Sequence, residues 1–434
     1  FTLGASGQNV TLDSTGSSGS VAISTGTLTS VTGTLDDGTG NDTIALTLAK
    51  TGVDISSANT TDVDSIALAS GVSATMTTAQ HALITSAAGT NTVTLSNAGT
   101  VSGNAAVESY NLAAGAQPFT LGASGQNVTL DSTGSSGSVA ISTGTLTSVT
   151  GTLDDGTGND TIALTLAKTG VDISSANTTD VDSIALASGV SATMTIAQHA
   201  LITSAAGTNT VTLSNAGTVI ANAAVEGYVL AAAGNSAFTL GAAGKNITTG
   251  SAGTDTIVVG TLTATGTFTT VSGDTVSLDT GADISAVNGA GAGAGSTLAA
   301  DKLTLVSGAS VTMTAAQNNS FDSTVTAAGT ETITLSDASS ASGIAEVERY
   351  VLAAGAQSFT LGASGQNVTL DSTGSSGSVA ISTGTLTSVT GTLDDGTGND
   401  TIALTLAKTG VDISSANTTD VDSIALASGV SATM

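Results

Sequence analysis

The string FTLGASGQNVTLDSTG occupies residues 1–16 and decides how the rest of the chain is interpreted. It begins again at Phe119 and at Phe359, and a diverged form, FTLGAAGKNITTGSAG, begins at Phe238. Self-similarity at a nearly fixed period is the signature of a repeat architecture, in which each copy packs mainly against its neighbours. The sequence therefore predicts that the chain consists of copies of one structural unit.

Three stretches are identical throughout: 1–76, 119–194 and 359–434. The resulting divisions are repeat 1 (1–118), repeat 2 (119–237), the diverged repeat 3 (238–358) and the partial repeat 4 (359–434). The sequence stops at Met434, the equivalent of Met76, in the middle of a copy. We expect the 434 residues to be part of a longer array.

The composition argues against several classes of function. Lys and Arg number 6 against 33 Asp and Glu, giving a net charge of -27, so nucleic acid and anionic membranes are repelled. There is no Cys, and therefore no disulfide or cysteine metal site. No run of apolar residues is long enough to span a membrane. His81 and His199 are the two histidines, which leaves little for acid–base catalysis, and we expect no enzyme.

Short alternating apolar groups predict β-strands. Examples are NVTL (9–12), SVAI (20–23), TIALTL (43–48) and TVTL (92–95), separated by Gly, Asn, Asp and Ser. They give about ten to twelve strands per copy, more than the seven to nine of an immunoglobulin-type sandwich. The small side chains and 2% aromatic content favour an all-β fold, a parallel β-solenoid of about 118-residue repeats. A string of β-sandwich domains is the alternative.

One segment of each full copy predicts a short helical turn. In TTAQHALI (77–84), Thr77 and Gln80 have the spacing of a capping box. The pattern recurs as TIAQ (195–198) and TAAQ (314–317). We expect one helical turn near 77–84, 195–202 and 314–321.

The motif LDDGTGNDTIAL (35–46) recurs at 153–164 and 393–404 and is the strongest candidate for a metal site. Carboxylate and turn carbonyl oxygens supply the roughly six to eight ligands that calcium takes, and Gly lets the backbone curl around the ion. The alternative is a polar turn that leads into a strand. The candidate ligands are Asp36, Asp37, Asn41, Asp42, Asp154, Asp155, Asn159, Asp160, Asp255, Asp394, Asp395, Asn399 and Asp400.

Two further polar patterns leave alternatives open. Asp62 and Asp64 flank Val63, so on a strand they would share a face and could share a cation with Asp54; a solvated strand edge is the other interpretation. Thr-x-Thr pairs at Thr27/Thr29, Thr75/Thr77 and Thr92/Thr94 are typical of ice-binding solenoids when aligned on one flat face. Strands are rich in Thr in any case.

The string DGTGNDTI (37–44) resembles the glycine- and aspartate-rich nonapeptide of RTX proteins. It departs from that pattern because Asp37 replaces the first Gly and the motif occurs once per copy rather than in tandem. Together with the acidic, Cys-free, Thr-rich composition, it makes the chain similar to the giant repeat proteins of bacterial surfaces: type I secreted RTX-like adhesins, S-layer proteins and surface fibres. The resemblance implies an extracellular, cell-surface location and calcium as a cofactor.

These observations predict a structural role, as an extracellular fibre, stalk or surface layer whose partners are copies of itself. The alternative is an adhesin that holds a glycan, mineral or ice through a Thr- and Asp-lined face. The two differ in the outer face, because a binding module repeats a specific polar grid whereas a spacer needs only solubility.

Overall fold

The structure is a computed structural model of the chain. It describes residues 1–12, 19–39, 42–113, 118–130, 137–157, 160–289, 298–300, 302–321, 324–326, 328–353, 355, 358–371, 377–397 and 399–434. The described residues form two compact units, Phe1–Val211 and Thr212–Met434.

The strands are short, mostly of two to seven residues. Those of repeats 1 and 2 are β1 (Val10–Thr11), β2 (Ser20–Ser24), β3 (Leu35–Asp36), β4 (Thr43–Leu48), β5 (Val53–Asp54), β6 (Ser65–Leu68), β7 (Ser73–Met76), β8 (Ile84–Ala87), β9 (Thr92–Leu95), β10 (Val101–Ser102), β11 (Ser109–Leu112), β12 (Phe119–Thr120), β13 (Asn127–Leu130), β14 (Ser138–Ser142), β15 (Leu153–Asp154), β16 (Thr161–Leu166), β17 (Val171–Asp172), β18 (Ser183–Leu186), β19 (Ser191–Met194), β20 (Ile202–Ala205), β21 (Thr210–Leu213), β22 (Thr218–Ile220) and β23 (Gly227–Val229).

Those that follow are β24 (Ala237–Thr239), β25 (Asn246–Thr248), β26 (Thr256–Val259), β27 (Thr263–Thr269), β28 (Thr275–Leu278), β29 (Asp283–Gly289), β30 (Lys302–Leu305), β31 (Ser310–Met313), β32 (Thr324–Thr326), β33 (Thr332–Leu335), β34 (Ala341–Ser342), β35 (Arg349–Ala353), β36 (Ser358–Thr360), β37 (Asn367–Asp371), β38 (Ser378–Ser382), β39 (Leu393–Asp394), β40 (Thr401–Leu406), β41 (Val411–Asp412), β42 (Ser423–Leu426) and β43 (Ala432–Thr433). Within the described ranges, three helices interrupt them: α1 (Thr78–His81), α2 (Ile196–His199) and α3 (Ala315–Asn318).

Strands pair with the next strand but one, in parallel. In the first unit the orders are β2-β4-β6-β8, β10-β12-β14-β16-β18-β20 and β5-β7-β9-β11-β13-β15. In the second unit they include β22-β24-β26-β28-β30-β32 and β34-β36-β38-β40-β42. Successive strands therefore alternate between two faces of a coil, and each coil pairs with the one before and after it. The predicted parallel β-solenoid is confirmed, with about 19 turns in all, and the β-sandwich alternative does not form.

Repeat 1 contains six coils, which begin at Phe1, Ser20, Thr43, Ser65, Ile84 and Val101. Parallel strands lie about 4.8 Å apart, so six coils advance the stack by roughly 29 Å. The unit that repeats in the sequence is therefore larger than the unit that repeats in space.

The core is filled by alternate residues of each strand. In TIALTL, Ile44, Leu46 and Leu48 are buried, whereas Thr43 and Ala45 are exposed. Buried aromatic pairs join neighbouring coils, with ring centroids 4.9 Å apart for Tyr110 and Phe119. Burying one Leu or Ile side chain stabilises the folded state by about 1.5–3 kcal/mol, and buried Leu, Ile and Val side chains recur along the strands of each unit.

The helical turns form where the sequence predicts them. Thr77 caps α1 by accepting the Gln80 N–H, and the Gln80 side chain accepts the Thr77 N–H at 2.8 Å, which completes the capping box. The Gln80 side-chain amide also donates to the Ile55 carbonyl at 2.8 Å. The same box is present at α2 and α3. Besides capping its helix, Gln80 therefore connects it to the preceding coil.

A second buried glutamine bridges the boundary between repeats 1 and 2. Gln126 accepts the Gly122 N–H at 2.7 Å and donates to the Asn104 and Val107 carbonyls at 2.7 and 2.8 Å. The two segments of the chain approach each other so closely here that a Cβ on Gly103 would lie 2.7 Å from the Gln126 side-chain oxygen. A Cβ on Gly122 would lie 1.8 Å from the Gly103 carbonyl oxygen.

Both members of this contact differ at the boundary between repeat 2 and the diverged repeat 3. Ala221 stands in the position of Gly103, and Lys245 stands in the position of Gln126. The Lys245 Nζ donates to the Ala223 and Val225 carbonyls at 2.8 and 2.6 Å, so it replaces the donor half of the glutamine. At the boundary before repeat 4 the original pair returns as Gly343 and Gln366.

We predict that Gly122→Ala destabilises the chain by about 3 kcal/mol, because the new methyl group overlaps main-chain atoms that cannot move aside. Gly125→Ala is the matched control in the same turn, since a Cβ there meets only the Thr150 Oγ1 at 3.8 Å. Urea denaturation of the two variants and the parent chain measures the difference. Equal loss of stability in both variants would contradict the packing assigned to Gly122.

Candidate metal centre

The first two acidic residues of the motif lie where a short strand turns. Asp36 is the last residue of β3, and Asp37 and Gly38 follow it. Gly38 has φ of 79°, a left-handed conformation that favours glycine, and its N–H donates to the Asp36 Oδ1 at 2.8 Å. The same bond forms from Gly156 to Asp154 and from Gly396 to Asp394. Glycine is needed here to form the turn that holds the first carboxylate.

The third carboxylate comes from the next coil. Thr34 and Asn59 form a parallel bridge, and the Asn59 side-chain oxygen accepts the Thr61 hydroxyl at 2.7 Å. This turn places Asp62 beside the two motif residues, so that one oxygen from each of Asp36, Asp37 and Asp62 lies within 4.8 Å of the others. Equivalent groups are Asp154, Asp155 and Asp180, and Asp394, Asp395 and Asp420.

Asp37 is the member of this group whose ionisation is made more costly by its surroundings. Partial burial, followed by the charges of Asp62 and Asp36, raises the pKa of Asp37 above its ordinary value. The pKa values of Asp155 and Asp395 are raised in the same way, by partial burial and then by the neighbouring aspartates. The pattern repeats in three copies, so it follows from the coil geometry itself.

Asp42, predicted as a ligand beside Asp37, has another role. Its side chain is 6% exposed, and Oδ1 accepts the N–H of Gly19 in the preceding coil. Asp160 and Asp400 accept the N–H of Gly137 and Gly377 in the same way. The main chain of the neighbouring coil thus binds the Asp42 carboxylate, and the acidic group that forms around Asp36 and Asp37 includes Asp62.

The carboxylate of Asp255, the candidate ligand in the diverged repeat, also accepts hydrogen bonds from main-chain N–H groups. It is 1% exposed, and its two oxygens accept the N–H groups of Ser236 and Gly250, each at 2.7 Å. The N–H of Asp255 in turn donates to Asp274 at 2.9 Å. Asp255 and Asp274 thus each join their own coil to the coil before it. Neither of them belongs to an acidic group among the residues that the structure describes.

The strings GTNTVTL (89–95) and GTETITL (329–335) also place a polar side chain directly before a strand, where it accepts a main-chain N–H. The Asn91 side-chain oxygen accepts the Val72 N–H at 3.0 Å, and Glu331 accepts the Gly308 N–H at 3.0 Å. The N–H of Asn91 donates to Glu108 at 2.7 Å. The acidic or amide residue before each strand is therefore a corner acceptor: its side chain receives an N–H from the preceding coil.

The remaining candidate ligands are the asparagines of the motif and the aspartates at positions 54, 62 and 64. Asn41 and Asn159 lie outside the described residues, and Asn399 is exposed. Asp62 and Asp64, which would share a face if they lay on a strand, instead precede β6, which begins at Ser65. Asp54 accepts the Ser56 N–H at 2.8 Å, and Asp64 accepts the Ile44 N–H at 2.7 Å. Asp62 is thus the ligand candidate that the motif alone does not reveal.

The group of Asp36, Asp37 and Asp62 fits a hard divalent cation. Its donors are carboxylate oxygens, which calcium prefers, and the pairwise distances allow all three to contact one ion. The half-buried position leaves room for water to complete the coordination shell. A cation there would remove the repulsion that raises the pKa of Asp37.

The chain has no counterpart in the comparisons with known proteins. No protein-family model matches it, and neither a curated protein nor a solved structure does. Among the residues that the structure describes, no helix has both the length and the apolar character needed to cross a membrane.

Proposed function

We propose that the chain is an extracellular structural repeat protein that forms part of a fibre, stalk or surface layer and is stabilised by calcium. The observation that carries the proposal is the stack of parallel coils, in which near-identical copies present the same surface at a regular interval. A contact made by one copy can be made again by the next, so weak contacts add up by multivalency. Acidic, Cys-free composition accords with an extracellular location.

One outer face of the first unit suits contact between copies. The outward residues of its strands β2, β4, β6, β14, β16 and β18 are small and uncharged, although the chain carries a net charge of -27. Among them are Ser20, Ala22, Ser24, Thr43, Ala45, Thr47, Ser65, Ala67, Ser138, Ala140, Ser142, Thr161, Ala163, Thr165, Ser183 and Ala185. Two copies of a strongly acidic protein repel each other least where the surface has no charge.

We predict that the 434-residue chain assembles into ordered filaments or lattices as its concentration rises in calcium buffer. Electron microscopy and analytical ultracentrifugation measure the assembly. Ala45→Glu with Ala163→Glu should weaken it by at least tenfold in critical concentration, which corresponds to about 1.4 kcal/mol. Thr94→Glu, on the other outer face, is the matched control and should have a smaller effect. A 41.1 kDa monomer at every concentration would contradict the proposal.

We predict that calcium raises the melting temperature at constant ionic strength. A site whose Kd is tenfold below the calcium concentration stabilises the folded state by about 1.4 kcal/mol. Replacing Asp37, Asp155 and Asp395 together by Asn should abolish the response and raise the melting temperature in chelator, because the repulsion is relieved.

The control for the calcium experiment uses the corner acceptors. Asp42→Ala and Asp160→Ala remove hydrogen bonds to main-chain N–H groups, which should lower the free energy of unfolding by about 1–3 kcal/mol. The melting temperature should therefore fall by the same amount with and without calcium. A melting temperature of the parent chain that does not change on chelation would exclude calcium stabilisation.

A second candidate function, adhesion to a glycan, mineral or ice, is favoured by the register of the other sheet. The outward residues of β7, β9, β11 and β13 align in two columns: Ser73, Thr92, Ser109 and Asn127, and Thr75, Thr94, Asn111 and Thr129. Thr92/Thr94 is therefore a Thr-x-Thr pair on a sheet face. Thr77 caps α1 and Thr27/Thr29 lie outside the strands, so those pairs do not extend the grid.

Adhesion through this face predicts that Thr94→Val with Thr129→Val, which keep side-chain shape and remove hydroxyl groups, weaken pull-down on insoluble polysaccharide, calcium mineral or ice at least fivefold. The matched control is Thr47→Val with Thr165→Val on the opposite sheet, where binding should not change. Equal binding by both variants would exclude the grid as the adhesive surface.

A further inference from the structure

The imidazole of His81 is enclosed at the end of α1. The residue is 5% exposed, and its Nε2 lies 3.0 Å from the hydroxyl oxygen of Tyr110. The two rings meet edge to face with centroids 5.5 Å apart. Tyr110 is itself fully buried, so the contact between them is shielded from water.

The hydrogen bonds around Tyr110 determine which partner donates to His81. The Asn104 N–H donates to the Tyr110 hydroxyl oxygen at 2.7 Å. Burial raises the pKa of Tyr110, so the phenol keeps its hydrogen. In the imidazole tautomer that carries its hydrogen on Nδ1, the His81 Nε2 accepts that hydrogen, and it can do so only while the ring is neutral.

Protonation of His81 would disrupt this arrangement. The Nε2 would become a donor, the Tyr110 hydrogen would lose its acceptor, and a positive charge would be buried. The carboxylates on or next to the surrounding strands are Asp54 and Glu108. Asp54 accepts the Ser56 N–H and Glu108 accepts the Asn91 N–H, α1 has no acidic residue in its first turn, and no ion pair to His81 forms in the described chain. Burial accordingly lowers the pKa of His81.

Repeat 2 carries the same histidine. His199 ends α2, is 6% exposed, and burial lowers its pKa as well. Both histidines belong to the first unit. His81 and His199 are therefore buried histidines at equivalent positions, the last residues of α1 and α2.

Repeat 3 builds the same corner without a titratable group. Asn318 replaces the histidine, and its side-chain oxygen accepts the Tyr350 hydroxyl at 3.1 Å. The Ile344 N–H donates to Tyr350 at 2.8 Å, and the Asn318 side-chain amide donates to the Ser342 carbonyl at 2.7 Å. The tyrosine keeps both its donor and its acceptor at any pH near neutrality.

We propose that the segments 77–84 and 195–202, each of which contains a buried histidine, open locally in mildly acidic surroundings. The equivalent segment 314–321, which contains Asn318 instead, stays folded. The unfolded chain binds a proton at each histidine with an ordinary pKa of about 6.5, and the folded chain binds it only at lower pH. The stabilisation is thus complete above about pH 6.5 and is lost as the pH falls toward the folded value.

The test uses the full chain and the substitutions His81→Asn and His199→Asn, which copy repeat 3. Hydrogen exchange, corrected for the intrinsic rate at each pH, is followed between about pH 7.5 and pH 5. The opening equilibrium of residues 77–84 and 195–202 should rise by up to tenfold per pH unit below about 6.5 in the parent chain. It should stay constant at 314–321, and at all three segments in the double variant.

Two further measurements decide the matter if the double variant is poorly folded. NMR titration of the parent should place both imidazole pKa values below 6.5, and Asn318→His should make 314–321 acid-sensitive. The carboxylates titrate alike in parent and variants, so they cancel in the comparison. Ordinary histidine pKa values, or equal acid sensitivity of 77–84 and 314–321 in the parent chain, would overturn the proposal.

Discussion

The parallel pairing of each coil with the coils before and after it is the constraint on which this structure depends. The strands satisfy their main-chain groups through the ladder, but at the corners the ladder stops and side chains must accept the remaining N–H groups. Asp42, Asn91 and Gln126 do so, each from the coil or turn beside it. The sequence is consequently rich in acidic and amide residues directly before strands, and much of its negative charge is a requirement of the fold.

This constraint explains what could be predicted from the sequence. Alternating strands, the capping box at Thr77 and Gln80, and the parallel solenoid all follow from local patterns. The division of the aspartates into corner acceptors and an exposed group does not. It depends on which residue of one coil lies beside which residue of the next, and the offset of 25 residues between Asp37 and Asp62 is a product of loop lengths. Spacing within the motif favours Asp42, which the main chain binds instead.

The same division links the fold to the proposed function. Charge is concentrated at turns, where carboxylates bind main-chain N–H groups or face one another, and it is absent from the outward residues of β2, β4 and β6. A calcium ion at Asp36, Asp37 and Asp62 would neutralise the negative charge of that turn. It would leave the uncharged outward face of β2, β4 and β6 unchanged. Stability and assembly would then be controlled by different surfaces of the same coil.

The exchange of Gly103 and Gln126 for Ala221 and Lys245 has a consequence for how such a chain can evolve. The two positions lie on opposite sides of a repeat boundary, and an alanine at Gly103 would meet the Gln126 side-chain oxygen at 2.7 Å. Recombination that joins the end of one copy to the start of another is therefore restricted to matching boundary types. Identical copies can be duplicated or deleted freely, whereas a copy that ends with Ala221 can be followed only by a copy whose first coil carries Lys245 in place of the glutamine.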